Sequence, residues 1–172
     1  MTKLRNMRVI EIPKFRAVSS GEKTLEKIFG EDGFNAWCTA HPQLLHKGIY
    51  EAENLLWHVG EPETYGRGLN VLIFPLREGV AERDVVPWPV MEFPGGIFLV
   101  ATADEDDAED LEETVSDMMR WIRENPAVEY GDFPRSGMCN MPGTRQIDRA
   151  LGVAQQQIFL PLRFIQACER AE

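Results

Sequence analysis

Residues 9–18 read VIEIPKFRAV, and residues 90–100 read VMEFPGGIFLV. Val9, Glu11 and Pro13 are answered by Val90, Glu92 and Pro94 at a constant offset of 81 residues. Both stretches mix β-branched and apolar residues with polar ones, as strands do. Each carries a proline, which cannot donate to a ladder and therefore marks a bulge or an edge. In the second copy Gly95 and Gly96 follow the proline, and their free backbone angles permit a bend.

The repetition extends outward from these strands. After the first, Leu25, Ile28, Phe29, Phe34 and Trp37 recur at helical steps over Glu22 to Ala40, with Gly30 and Gly33 breaking the pattern into two pieces. NLLWHV (54–59) and LNVLIFPL (69–76) are short strands separated by a loop rich in glycine and proline. After the second strand, Leu111, Val115, Met118, Met119 and Ile122 share one helical face, and Pro126 stops that helix. The acidic run Asp104 to Asp110 reads as its N-terminal cap, where exposed amides favour negative charge. A poorly patterned piece then leads to a last strand, Gln157 to Phe164. Trp37 answers Trp121 at an offset of 84, and IFPL at Ile73 answers FLPL at Phe159 at an offset of 86. Offsets that drift by so little are those of two copies of a strand-helix-strand-strand unit. The expected fold is one α/β (α+β) domain over residues 1–172, half one at about 7–77 and half two at about 87–165. The halves pair antiparallel about a pseudo-twofold, with both helices on one sheet face and a cleft along the axis.

Composition narrows the function. The chain has 172 residues, 44% of them hydrophobic, enough for one buried core, and a formal net charge of -10. That charge disfavours phosphate backbones and anionic lipid, so neither direct nucleic-acid binding nor a membrane partner is expected. No run approaches the roughly 20 apolar residues needed to span a bilayer, and the N-terminus lacks a signal-peptide pattern, which points to the cytoplasm. Cys38, Cys139 and Cys168 are odd in number and scattered, as buried thiols of a reducing compartment would be.

Catalytic and cofactor motifs are missing. Cys38, His41 and His46 in CTAHPQLLH have no fourth ligand nearby, so no metal site is expected. Ser136 lacks a nucleophile elbow, and the glycine pairs at 66/68 and 95/96 do not form a phosphate loop, so no cofactor is expected.

VIEIPKFRAV, a helix ending in tryptophan, FPGGIFLV and a terminal IFLPL together resemble the GyrI-like small-molecule-binding domain. That duplicated module occurs alone in gyrase-inhibitor-like proteins and fused to helix-turn-helix domains in AraC- and MerR-type regulators. The resemblance spans nearly the whole chain, although its motifs are short and hydrophobic. It implies a cleft for an amphipathic or aromatic, cation-tolerant ligand, walled by Phe98 and Phe159 facing each other across the axis. Trp37 and Trp121 serve as further walls or as core, and Trp57 and Tyr65 either roof the cleft or pack across strands. Where the family often carries a Glu near a Tyr, this chain reads TRQIDRALG, leaving Asp148 as the only acid there. Glu92 either enters the cleft or, by strand alternation with Val90, faces solvent.

The leading expectation is a stand-alone binding module, an effector-binding or sequestering protein without its own DNA-binding segment. A second is a hydrolase of cyclopropane-bearing alkylating compounds, with Glu92 or Asp148 as the catalytic acid. A third is a protein-interaction inhibitor of a DNA enzyme, which would need a separate protein partner.

Overall fold

The computed structural model describes residues 5–46, 54–60, 68–142 and 145–165. Its first strand is bent: β1 (Arg5–Ile12) runs into β2 (Phe15–Ser19) around Pro13. The second copy is bent in the same way, from β5 (Val90–Phe93) into β6 (Gly96–Asp104) around Pro94 and Gly95. These two bent strands pair antiparallel along both arms. The pairs are symmetric under the 81-residue offset, since Val9↔Leu99 maps onto Val90↔Val18, and Ile12↔Gly96 onto Phe93↔Phe15. The pseudo-twofold therefore passes between the two bends.

Each half then completes itself. Two short helices, α1 (Leu25–Phe29) and α2 (Phe34–Ala40), precede β3 (Leu55–Val59) and β4 (Leu69–Pro75) in half one. The break between the helices falls at Gly30 and Gly33, as the sequence predicts. Half two has α3 (Ala108–Glu124), β7 (Val128–Tyr130), β8 (Met138–Asn140), α4 (Arg145–Leu151) and β9 (Gln155–Phe164). Thus the poorly patterned stretch after α3 folds into two three-residue strands and a short helix, an addition to the simple repeat. Strand β4 pairs β2 through Ala17↔Pro75, and β9 pairs β6 through Phe98↔Pro161, which repeats the first pairing at offsets of 81 and 86.

The sheet runs β1-β6-β9-β8-β3-β4-β2-β5, with β7 also on β9. Because β1 continues into β2 and β5 into β6, this path closes on itself, and the β3–β8 bridge Leu56↔Cys139 is the seam that closes it. Strand alternation then sorts the apolar residues. The inner face holds Phe93, Phe98, Val100, Ile73, Trp57 and Phe159. On the outer face α3 covers Leu99, Ala101 and Leu160 through Met118 and Ile122. Helices α1 and α2 cover Val18 and Leu72 through Ile28, Phe34 and Cys38. Both helical layers thus lie on one face of the sheet, as expected.

Helix α3 is held at its start by charge. Asp107 is its N-cap and accepts from the Asp110 amide at 3.1 Å, which accords with the capping role read for the acidic run. A bulge with positive φ at Arg5 (28°) and Asn6 (40°) brings the Arg5 guanidinium onto the helix. There it donates to Thr114 and pairs with Asp110 (3.1 Å), Glu113 (3.2 Å) and Asp117 (3.1 Å).

At the axis the two bends touch backbone to backbone. Gly95 has φ +73°, and a Cβ there would lie 2.6 Å from the Ile12 carbonyl oxygen and 2.7 Å from the Lys14 nitrogen. Gly95→Ala should therefore destabilise the fold by about 3 kcal/mol or more, since strain at positive φ and a clash with rigid backbone combine. Gly79→Ala is the control: it shares the positive φ (81°) but has open space, and should cost only about 1 kcal/mol. Urea unfolding of both variants measures the difference, and equal losses would show that the axial contact carries no special weight.

Candidate functional site

A cleft of about 820 Å³ opens on the outer sheet face, over the β3–β8 seam, between α1 and α3. Its floor is built from outward-pointing residues of three strands: Leu56 and His58 on β3, Cys139 on β8, and Ile158 and Leu160 on β9. One wall is α3, through Leu111, Val115 and Met119, and Leu25 of α1 stands opposite. Half one contributes one helical residue to the lining, Leu25, and α3 contributes five, so the helical walls are unequal.

The α3 wall explains a feature of the sequence. The helix carries an apolar stripe wider than sheet contact requires, and the structure splits it. Thr114, Met118 and Ile122 are buried on the sheet, whereas Leu111, Val115 and Met119 at i, i+4 spacing face the cleft. Val115 is 38% exposed where it faces the cleft.

Polar groups also line the cleft. His58 is buried at 4% exposure, with its ring against Gly68, where a Cβ would come within 2.5 Å of the ring. Ser136 donates from Oγ to the His58 carbonyl at 2.8 Å, and the Tyr130 hydroxyl donates to the Arg135 carbonyl at 3.0 Å. Burial raises the Tyr130 hydroxyl pKa above its ordinary value. Burial likewise pushes the Cys139 thiol up to about 11, with the Glu105 charge adding to it and a hydrogen bond with Gln156 working against it. At neutral pH both groups are therefore neutral, able to hydrogen-bond a ligand but unready as nucleophiles.

Of the residues singled out in the sequence, Trp57 borders this cleft through its place on β3, between Leu56 and His58, but its side chain packs in the inner core, 8% exposed and edge-on to Phe133 at 5.7 Å. Phe98 and Phe159 lie on the other side of the sheet, in the closed core, at 1% and 2% exposure, with Phe98 stacked on Phe93 at 6.4 Å. The reason is parity: in β9 the cleft takes Gln156, Ile158 and Leu160, so Phe159 between them must point inward. Trp121 packs on the α3 core. Trp37 packs on the α2 core and stacks on His41 at 4.5 Å. Neither lines the cleft. Glu92 is exposed on β5 and paired with Lys14, as alternation with Val90 suggests. Asp148 sits in α4, its carbonyl accepting from the Gly152 amide at 2.8 Å. Neither acid reaches the cleft, whose carboxylate is Glu112. Tyr65 lies outside the described residues.

His58, Glu112, Tyr130 and Arg135 escaped the sequence reading because no motif links them. The width of the α3 stripe was the one available signal.

No family model matches the sequence, and no curated protein does. Solved structures do. The C-terminal domain of EcmrR is 15% identical with a TM-score of 0.66, the match covering 94% of this chain and 99% of that domain. EcmrR in its complex with DNA is 14% identical with a TM-score of 0.67 over 94% of this chain, which spans 59% of the EcmrR chain. SAV2435 bound to tetraphenylphosphonium is 13% identical with a TM-score of 0.55, covering 92% of this chain and 94% of that one. The chain accordingly shares the fold of the EcmrR C-terminal domain and of SAV2435. No helix among the described residues is long and apolar enough to cross a membrane.

The thiol on the cleft floor provides a direct test. In a Cys38→Ala, Cys168→Ala background, alkylation of Cys139 by an apolar maleimide should accelerate about tenfold per pH unit and level off only near pH 11. Stopped-flow labelling measures this, and a plateau near pH 9 would mean that the thiol is not desolvated.

Proposed function

We propose that this chain is a small-molecule-binding module whose ligand is an amphipathic, largely apolar or aromatic compound. The observation that carries the reading is the cleft: about 820 Å³, lined mainly by apolar groups, at the seam between two repeated halves and bounded by helices. Concave apolar sites with a few convergent polar groups are where organic ligands bind. An unfilled apolar surface of this kind costs free energy unless something covers it. Binding of tetraphenylphosphonium by SAV2435, which shares the fold, supports the same reading by analogy.

Binding is favoured over hydrolysis. Both acids expected to serve a hydrolase, Glu92 and Asp148, stand away from the cleft, and its thiol and phenol hold their protons at neutral pH. In the cell such a module acts as a sensor or as a sequestering protein, and a regulatory output passes through a further domain or a separate polypeptide.

Aromatic dyes should bind with micromolar affinity, about -8 kcal/mol, and quench Trp57 fluorescence. Val115→Asp places a charge on the apolar wall at a position already 38% exposed, so dye binding should be lost while the melting temperature hardly moves. Met119→Ala should weaken binding by about 1–2 kcal/mol with the fold intact. Phe98→Ala should do the opposite, costing about 3–5 kcal/mol of stability as a core truncation. Fluorescence titration and thermal melts separate the two classes. Undiminished dye binding in Val115→Asp would move the site elsewhere.

A further inference from the structure

Two formal charges line the cleft, one of each sign. Among the described residues lining it, Glu112 is the carboxylate and Arg135 the guanidinium. Neither side chain has an ion pair or hydrogen bond among the described residues, and Arg135 offers only its backbone carbonyl, to Tyr130. Several other arginines differ. Arg5 is held by three carboxylates, Arg163 by Glu129 and Asp132, and Arg120 by Asp117. With 28 acidic and 18 basic residues, the chain has acids to spare, yet Arg135 stands at the cleft without one among the described residues.

The register places the two charges at opposite ends. Helix α3 begins beside Asp104, whose amide donates to Asp110, and Asp104 pairs with Gln155. Glu112, in the second turn, therefore lies toward the Gln156 end of β9. Arg135 is tied to Tyr130, which pairs with Leu162, and it leads into β8, where Met138 pairs with Phe159. It lies toward the Leu160 end. Gln156 and Leu160 are four strand residues apart, so the two ends of the floor lie about 13 Å from each other. Between them the floor is Ile158 and Cys139, flanked by Val115 and Met119.

We propose that the cleft selects an elongated ampholyte: an apolar body with a cationic group against Glu112 and a carboxylate or similar anion against Arg135. This rests on the binding reading above and adds to it the charge pattern of the ligand. Arginine suits the anionic end because its planar fork meets a carboxylate with two parallel hydrogen bonds. A neutral or purely cationic ligand leaves Arg135 unmatched, and a purely anionic one leaves Glu112 unmatched.

The test uses rhodamine B, a zwitterion, and its ethyl ester, a cation that differs only in the blocked carboxylate. Fluorescence anisotropy at low salt should show the acid binding about fivefold more tightly than the ester, the scale of a partly exposed ion pair. Arg135→Gln should bring the ratio to about one, and Glu112→Gln should weaken both dyes alike and preserve it. Added salt should shrink the wild-type preference. Both substituted residues are exposed, so thermal melts should match the wild type. Equal or tighter binding of the ester, or an unchanged ratio in Arg135→Gln, overturns the charge pattern while leaving the cleft as a binding site. Failure of both dyes to bind overturns the binding reading and this inference together.

Discussion

Gly95 lies so close to the Ile12–Lys14 backbone that no side chain fits between them. That contact sits on the pseudo-twofold axis, where two bent strands cross, and the remaining architecture follows from it. A bend in each strand lets one arm pair within its own half and the other arm pair across the axis. Without close approach at the bends, the arms on either side could not keep one continuous register. The prolines suit this place, since they lack an amide that a straight ladder would need.

Closure of the sheet divides its two faces. The inner face becomes a buried core of Phe93, Phe98, Phe159 and their neighbours. On the outer face, covering is left to helices of unequal length. Helix α3 spans 17 residues, and α1 and α2 span five and seven. Short helices on one side and a long one on the other leave the β3–β8 seam uncovered by the described helices, and the cleft lies over that seam. The asymmetry between the halves is what turns a symmetric sheet into a site with distinguishable ends.

The chemistry of the cleft follows from this position. Burial on the floor keeps Cys139 and Tyr130 neutral, so they act as hydrogen-bonding groups instead of reactive ones. Charges stay at the rim, where water still screens them, and Arg5 engages α3 through Thr114 and the neighbouring acids Asp110, Glu113 and Asp117. Binding energy in such a site comes mainly from apolar cover, and the rim charges choose among ligands of similar shape.

The sequence alone determined the duplication, the bent strands at Pro13 and Pro94, the divided first helix, the capped second helix and the placement of both helical layers on one face. These are legible because they are written in local pattern: period two, helical spacing, proline and glycine, and constant offsets. It did not determine α4, β7 or β8, three short elements held by pairing and cover more than by their own periodicity. Nor did it determine which side of each strand faces the ligand. Phe98 and Phe159 were natural candidates for walls, yet the cleft takes their neighbours on β9, Ile158 and Leu160. Alternation reveals that a strand has two faces but does not say which one a helix leaves bare. That depends on how far α1 and α3 reach across a closed sheet, a distance set by tertiary packing between segments about eighty residues apart.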